Sequence, residues 1–415
     1  MPCSLRILAI GGLWIAGGLD TASGATVLHA QEILDLPAED SPLSANFEPV
    51  YRIGSAQAAA EWEEFFAIQG IGFDSAGNLY LLDGGDADGG RRVVVVDPAG
   101  RHVRDFGRVG EGPGEFQMAR QLMVWADGRS LVSDRMRGYH VFRPDGQFEY
   151  TAQENGGFMV MTRTGLRPER TGSRTALVRD ERSILRMDLS SAEIGGGVLV
   201  EGWVAREPTE LPSVFSFEQA LETVGEEWGF EPEVLFDAMP AGGVAFSDSS
   251  AYAIKLTDAS GAVSRILRRP IRPLPVTERM QRAERERRLE EESNRQFTQR
   301  GGDPPPEVRA MIDRYMEAQR AGVENMQFHA EVPVIAAVRV TWDGSLWVER
   351  STEPGTDGPG AVDVLAPDGG YVGTFPEGRL EMPDAFGPDG LAAFVDTDEF
   401  DVPVIAVRRL PQRVR

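Results

Sequence analysis

The chain has 415 residues, 41% of them hydrophobic, and a formal net charge of −23 at pH 7. The ordinary hydrophobicity argues against wholesale disorder, and the excess of acid argues against nucleic acid or anionic membrane surfaces as partners. The length alone predicts two or three domains. The 47 glycines, against about 29 in an average chain of this length, indicate many turns.

The first thirty residues have the order of a secretory signal peptide. A positive start at Arg6 is followed by an apolar run from Ile7 to Leu19 and then by small residues. The run is too short to span about 30 Å of hydrocarbon, although an uncleaved anchor is the alternative. We therefore expect residues 1–30 to be removed on export to the periplasm or the medium of a bacterium. No membrane span should remain, and residues 31–43 should form a flexible segment.

The only cysteine, Cys3, precedes the apolar run. A lipoprotein cysteine would have to follow that run, so a lipid anchor is not expected. The chain beyond Cys3 can form neither a disulfide nor a thiolate metal site.

Two sequence phrases recur along the rest of the chain. In the first, a turn ending in glycine precedes a short apolar strand, with copies at residues 73–83, 124–134, 340–348 and 386–396. The second has the order strand, turn, strand, with copies at residues 93–100, 141–146, 256–261 and 364–369. Both turns are hairpin signals, because glycine adopts the positive φ that they need. Each unit thus holds two hairpins, or four strands, in roughly 45 to 60 residues.

Four antiparallel strands per unit, repeated about six times, predict an all-β fold, a six-bladed β-propeller. A degenerate third unit is expected around Ile184 to Glu193, where the repeat phrases are missing. The last unit has three strands, whereas Phe47 to Ile53 is strand-like and has no hairpin partner. We therefore expect Phe47 to Ile53 to be the outer strand of the last blade. The ring then closes as one domain over residues 44–411, and residues 412–415 form a tail.

These residues carry a family resemblance. The unit from Gly77 to Asp83 resembles the NHL-type repeat, and Gly107 to Phe116 is similar to the inter-blade linker of bacterial six-bladed NHL-like propellers. The resemblance covers most of residues 45–411 and is strongest over 65–150 and 335–410. It implies the architecture of the protein and no particular activity.

A helical insertion, residues 276–327, is expected between blades four and five. Residues 278–292 are rich in helix formers with opposite charges three and four apart, and Thr277 can cap them. A proline-rich break separates them from a second helix at 307–320, whose apolar stripe is Val308, Met311, Ile312 and Tyr315. The pattern predicts a helical hairpin on one face of the propeller. It is either a solvated decoration or a lid or partner surface.

Catalytic motifs are scarce in the sequence. His102, His140 and His329 are scattered, and neither a metalloprotease motif, a nucleophile elbow nor a P-loop occurs. The acidic segment from Asp83 to Gly90 could hold Ca²⁺ through carboxylate oxygens, but it lacks the spacing of a calcium loop. A polar hairpin turn is the preferred interpretation, and no cofactor is predicted.

One position of the repeat is polar in four units. Asp83, Asp134 and Asp396 each lie six residues after the repeat glycine, and Arg350 occupies that place in a fourth unit. Stacking the blades around an axis brings equivalent positions to the same end of the channel. These four residues are therefore candidate ligand-binding residues at the channel mouth. The alternative is that the carboxylates cap backbone N–H groups at strand ends.

Taken together, these features favour a monomeric exported propeller that binds a protein, peptide or glycan ligand on one rim of the disc. No catalysis of its own is expected, although the sequence leaves open whether the protein is an enzyme. The alternative function is a metal-dependent propeller enzyme, of the lyase or lactonase type, with its site at the central channel. Such enzymes rely on converging His, Glu, Asp or Asn side chains, and few candidates are visible.

Overall fold

A computed structural model describes residues 31–58, 60–85, 91–135, 137–153, 163, 165–172, 174–180, 182–203, 227–294 and 306–415. The expected signal peptide, residues 1–30, lies outside the described residues. None of the helices in the described ranges has the length and apolar character needed to cross a bilayer.

Strands β1 (Glu32–Asp35) and β2 (Glu48–Ile53) precede the repeats, and a 3₁₀ turn (Glu61–Glu63) follows them. Blade one comprises β3 (Ile68–Phe73), β4 (Leu79–Asp83), β5 (Arg92–Val96) and β6 (His102–Phe106). Blade two comprises β7 (Ala119–Val124), β8 (Ser130–Asp134), β9 (Gly138–Phe142) and β10 (Phe148–Ala152). Blade three comprises β11 (Arg167–Pro168), β12 (Thr175–Asp180), β13 (Ser183–Asp188) and β14 (Gly195–Glu201).

Strand β15 (Trp228–Gly229) precedes blade four, which comprises β16 (Leu235–Ala238), β17 (Val244–Ser247), β18 (Ala253–Thr257) and β19 (Val263–Arg268). The insertion contains β20 (Leu274–Pro275), α1 (Glu278–Asn294), α2 (Pro306–Glu324), β21 (Gln327–Phe328) and β22 (Glu331–Val332). Blade five comprises β23 (Ile335–Val340), β24 (Leu346–Arg350), β25 (Val362–Leu365) and β26 (Tyr371–Phe375). Blade six contains β27 (Ala385–Phe386), β28 (Leu391–Thr397) and β29 (Pro403–Arg409), with 3₁₀ turns at Pro388–Gly390 and Gln412–Val414.

The described strands thus form the six blades that the repeats predict, and one closed ring replaces the two or three domains suggested by length. The ring closes as expected, because β2 is the outer strand of blade six. It pairs antiparallel with β29, from Glu48 opposite Arg409 to Ile53 opposite Ile405. Main-chain hydrogen bonds between the two ends of the domain therefore complete the last blade.

The two faces of the ring differ in their loops. Within each blade the strands alternate in direction from the inner strand at the axis to the outer strand at the rim. The tight glycine turns, which join the first strand to the second and the third to the fourth, lie on one face. The loops from the second to the third strand, and the connections between blades, lie on the other. We call this second face the connection face.

The third blade corresponds to the degenerate unit that we expected from the sequence. The segment from Ile184 to Glu193 contains β13 and the turn that leads to β14. Arg174 occupies the position of the repeat glycine with a φ of 76°, in the left-handed region that normally favours glycine. The missing glycine explains why the repeat is hard to see in this part of the sequence.

The segment at residues 31–43 differs from the flexible segment that we expected. Strand β1 pairs in parallel with β19 as a fifth strand on blade four, and Pro42 bridges Thr374 of blade five. Leu36 and Leu43 are buried against these two blades. Apolar side chains thus fix residues 31–43 on the rim of the ring, and we call this segment the strap.

The C-terminal tail also packs on the ring. Val414 is buried, and its carbonyl accepts a hydrogen bond from the indole Nε1 of Trp347 at 2.8 Å. The last residues therefore contribute to the core between blades five and six.

The insertion has the predicted helical hairpin, and its base is closed by pairing between β20 and β22. The N–H of Met280 donates to Thr277 Oγ1 at 3.4 Å, which agrees with the expected N-cap. In the apolar stripe of α2, Ile312 and Tyr315 are half-buried, whereas Met311 remains 38% exposed. The side chain of Val308 lies outside the description.

Blades one and two pack at backbone distance next to the axis. A Cβ atom added at Gly70 of β3 would lie 2.6 Å from the backbone nitrogen of Leu122 in β7. Gly70→Ala is therefore expected to force the two inner strands apart and to lower the free energy of unfolding by about 1–3 kcal/mol. Urea unfolding measures this loss. Gly197→Ala is the control, because its Cβ would have no neighbour within 4 Å; equal midpoints for the two variants would contradict the packing.

His140 on β9 is buried beside Phe116 and Phe148, and its Nδ1 shares a hydrogen bond of 3.0 Å with Thr151 Oγ1. Burial lowers the pKa of His140, although the nearby Asp134 carboxylate opposes the shift. Below the ordinary pKa of about 6.5, the unfolded chain binds a proton that the folded chain excludes. The stabilising contribution of neutral His140 is therefore complete above that pH and declines as the pH falls toward the folded-state pKa.

The difference between the unfolding midpoints at pH 7.5 and at pH 5.5 should therefore be smaller for a His140→Gln variant than for the native sequence. The comparison between the two proteins removes the pH response of their shared carboxylates. An identical pH response of both proteins would show that His140 does not couple protonation to folding.

Candidate functional site

The position six residues after the repeat glycine is polar in all six described blades. The N–H of the repeat glycine bonds to the carbonyl three residues earlier at Gly77, Gly128, Gly242 and Gly344. Counting from Gly242 adds Asp248 of blade four, and counting from Arg174 adds Asp180 of blade three. Sequence reasoning missed both residues, although the Ala-Gly-Gly turn at residues 241–243 carried the signal for Asp248.

Asp83 and Asp134 each accept hydrogen bonds from the backbone just before the inner strand of their own blade. One carboxylate oxygen of Asp83 accepts hydrogen bonds from the N–H groups of residues 66–67, each at 3.1 Å. One oxygen of Asp134 accepts from residues 117–118 at 2.7 and 2.9 Å. Both aspartates are 0% exposed. These contacts are the backbone caps that the sequence raised as the alternative to ligand binding.

The residues at this position in the other blades differ in their burial and in their hydrogen-bond partners. Asp248 is buried and accepts from Lys255 Nζ at 2.7 Å, whereas Asp396 is exposed. Arg350 donates to Asp40 on the strap at 2.7 Å. Although burial opposes the shift, hydrogen bonds from Arg350 and Arg269 lower the pKa of Asp40. Arg350 thus ties the strap to blade five in this structure.

A cleft of about 1510 Å³ opens on the connection face between α1 and blades three to five. Its walls come from the end of β12 and the residue Arg182 after it, the segment leading into blade four, and the loop after β24. The lining residues in these segments are Arg179, Arg182, Glu227, Trp228, Phe230, Glu231, Pro232, Glu233, Leu235, Ser351, Thr352, Pro354, Gly355, Thr356 and Asp357. Helix α1 covers the cleft, and we call this part the roof; its lining residues are Ala283, Glu284, Glu286, Arg287, Arg288 and Glu290. The insertion therefore forms one side of an open cleft over the propeller.

Side-chain contacts tie the roof to both walls. Arg288 of α1 donates to the carboxylate of Glu227 at 2.7 Å and to the carbonyl of Trp228 at 3.2 Å. On the other side, Arg279 forms an ion pair with Glu353. Although burial opposes the shift, hydrogen bonds from α1 arginines lower the pKa of Glu284, so this roof carboxylate is ionised at neutral pH.

The cleft presents charges of both signs beside apolar groups. Arg182 pairs with Glu231 at 2.6 Å, and Arg179 pairs with Glu233. Phe230 and Leu235 add apolar surface to the same lining. Such a lining can bind a chain that carries both charged and apolar groups.

The axial channel is a second cavity, of about 310 Å³, lined by the inner strands. Its charged lining residues are Arg167, Glu169, Arg170, Asp237, Arg339 and Asp384. Glu169 accepts from Arg186 at 2.7 Å. Asp237 accepts from the N–H of Val340 at 2.8 Å and lies 3.6 Å from Arg167 Nε. The carboxylates of Glu169 and Asp237 thus already accept hydrogen bonds from other groups of the protein.

None of the described histidines lines this channel. His102 stacks on Trp62 and bonds to Asp105 at 2.7 Å, and His329 lies against Trp228. In the acidic segment considered for Ca²⁺, residues 86–90 lie outside the described residues. Within the part of the chain that the structure describes, no group of three or more His, Cys, Asp and Glu residues is placed to hold a metal ion.

Fold and cleft together define the class of protein, a six-bladed β-propeller with a helical roof over part of its connection face. No protein-family model matches the chain. Among similar solved structures, a member of the DUF4221 family from Bacteroides vulgatus is 10% identical, with a TM-score of 0.46 over 88% of this chain and 97% of that one. The β-propeller domain of Cps50 (Swd1) from Myceliophteria thermophila is 10% identical, with a TM-score of 0.41 over 88% and 100%.

Regucalcin from Agrobacterium tumefaciens, a calcium-binding protein, is also 10% identical, with a TM-score of 0.35 over 92% of this chain and 98% of that one. Similarity at this level carries no argument about the activity of this chain.

Proposed function

We propose that this chain is an exported NHL-like propeller that binds an extended peptide segment in the cleft beneath α1, without catalysis of its own. The observation that carries the proposal is the open cleft of about 1510 Å³ between a tethered helix and three blades. Concave sites are the usual places where proteins hold a ligand.

The paired charges favour a peptide over a neutral glycan. Arg182 and Glu231 lie side by side in the lining, as do Arg179 and Glu233. The acidic and basic side chains of a peptide can form ion pairs with these arginines and glutamates, whereas a neutral sugar cannot. Phe230 and Leu235 can receive its apolar side chains.

The NHL-like assignment is supported by the linker between blades one and two. The carboxylate of Glu115 accepts from the N–H of Gly112 at 2.8 Å and from Arg108 Nε at 2.7 Å. Phe116 closes the loop and is fully buried. The residues that carry the resemblance thus form a compact connection at the place where an inter-blade linker belongs.

Loosening the roof should weaken peptide binding. Peptides selected from a phage-displayed twelve-residue library on the native protein provide the probes, and fluorescence anisotropy measures their affinity. Arg288→Ala removes the contacts with Glu227 and the Trp228 carbonyl, so we expect at least a tenfold loss, about 1.4 kcal/mol. Arg282→Ala is the matched control, because Arg282 is exposed on the same helix. Equal binding by both variants and by a chain lacking residues 277–326 would refute the proposal.

We also propose that binding requires no cofactor. Elemental analysis of the dialysed, folded protein tests this directly. Stoichiometric calcium or zinc would instead favour the alternative, a metal-dependent enzyme with its site at the channel.

A further inference from the structure

The cleft beneath α1 carries more negative than positive charge. Among the described residues that line it, four are arginines and seven are carboxylates. The arginines are Arg179, Arg182, Arg287 and Arg288, and the carboxylates are Glu227, Glu231, Glu233, Glu284, Glu286, Glu290 and Asp357. The excess of acid in the whole chain is therefore also found in the cleft.

The four arginines of the lining already have partners within the protein. The ion pairs join Arg179 with Glu233, Arg182 with Glu231, Arg287 with Glu284, and Arg288 with Glu227. The other three carboxylates of the lining, Glu286, Glu290 and Asp357, are exposed and form no ion pair within the part of the chain that the structure describes. The charge that the lining leaves for a ligand is therefore negative.

Two of these three carboxylates are neighbours on the roof. Glu286 and Glu290 are four residues apart on α1, and both line the cleft. Side chains at this spacing lie side by side on a helix, so their like charges repel each other. A cleft lined by an excess of one charge also concentrates the electric field between its walls. A positively charged group of the ligand would reduce this repulsion.

Aromatic rings in the same lining suit a basic side chain. Trp228 and Phe230 line the cleft, and the ring centre of Phe230 lies 5.7 Å from that of Phe328. The guanidinium carbon of Arg285 lies 5.3 Å from the ring centre of Phe328, so this aromatic cluster already holds one cation of the protein. A lysine or arginine side chain combines a charged end with an apolar stem, and it can use both the carboxylates and the rings.

We infer that the cleft selects basic peptides and binds a lysine or arginine side chain at Glu286 and Glu290. This inference rests on the proposed peptide-binding function and adds the charge of the peptide to it. An acidic peptide would meet three carboxylates that lack ion-pair partners among the described residues, so the same groups that favour a basic peptide disfavour an acidic one.

Fluorescence anisotropy of the full chain with three twelve-residue peptides tests the inference. The peptides share their leucine, phenylalanine and glycine positions and carry lysine, glutamine or glutamate at four others. We expect the lysine peptide to bind at least tenfold more tightly than the glutamine peptide, and the glutamate peptide to bind most weakly. Between about 50 and 300 mM sodium chloride, the affinity should fall for the lysine peptide and stay constant for the glutamine peptide.

A double variant, Glu286→Gln with Glu290→Gln, should bind the lysine peptide at least fivefold more weakly and the glutamine peptide unchanged. The control is Glu307→Gln with Glu317→Gln, which alters the net charge equally at exposed positions of α2 outside the lining. The control should bind both peptides as the native protein does. Asp357→Asn, in the loop after β24, is a second test of the lining charge and should weaken only the lysine peptide.

Equal affinities for the three peptides, or equal losses in the two double variants, would overturn the preference for basic peptides. If the three peptides bind equally and Arg288→Ala weakens all of them, the peptide site stands and the preference alone is wrong. If neither these peptides nor those selected from the library bind, the proposed function fails together with the preference.

Discussion

Deletion of residues 44–54 is expected to abolish the cooperative unfolding of the propeller. The deletion removes β2, whose backbone pairs with β29 from residue 48 to residue 53. Without β2, blade six has three strands and an unpaired edge. Ile405 and Val407 also lose the apolar side chain of Ile53 from their cluster. Because each blade of a ring is buried by its neighbours, an open ring should lose its blades gradually rather than in one step.

Circular dichroism during urea unfolding, compared with calorimetry, measures this cooperativity. The matched control is a deletion of residues 31–43, which removes β1, the fifth strand on blade four. That protein should keep a single transition at a lower midpoint, because the six blades stay closed. A chain lacking residues 44–54 that melts like the full-length protein would refute closure by β2.

Asp363→Ala is expected to be the most destabilising single substitution in the contact between blades four and five. Asp363 Oδ1 lies 2.9 Å from Arg269 Nη1, and both side chains are 0% exposed. Removing the carboxylate leaves a buried guanidinium without its main partner, at a cost of about 3–5 kcal/mol. Urea unfolding of the variant gives this difference in the free energy of unfolding.

Asp40→Ala is the control for this substitution. Asp40 pairs with the same guanidinium, at 2.7 Å from Arg269 Nη2, but its side chain is 41% exposed. Water compensates for the loss of an exposed ion pair, so the cost should be within about 1 kcal/mol. Equal losses in the two variants would show that burial does not set the strength of this pairing.

The sequence predicts the architecture well because the turn chemistry repeats. Glycines such as Gly77 and Gly128 adopt the positive φ that their turns require, and they recur at the spacing of the blades. Blade three is less visible because Arg174 takes that conformation without a glycine. The strap at residues 31–43 was not predicted, because its parallel pairing with β19 joins residues far apart in the sequence.

The cleft could not be predicted because its contacts are non-local. In the sequence the charges of α1 are matched three and four residues apart, and Arg287 does pair with Glu284 and Glu291. Arg288, however, also reaches Glu227 across the cleft. Nothing in the spacing of these residues distinguishes an arginine that pairs within the helix from one that holds the roof.

Site-specific cross-linking tests the cleft as the binding site most directly. Because Cys3 is the only cysteine and precedes the expected cleavage site, one introduced cysteine can carry a photoreactive group. Thr352→Cys places it in the cleft lining, and Ala99→Cys places it on an exposed turn of the opposite face. Mass spectrometry then measures the attachment of a selected peptide. We predict attachment from Thr352→Cys and only background from Ala99→Cys; equal attachment from both, or none from Thr352→Cys, would contradict a peptide site beneath α1.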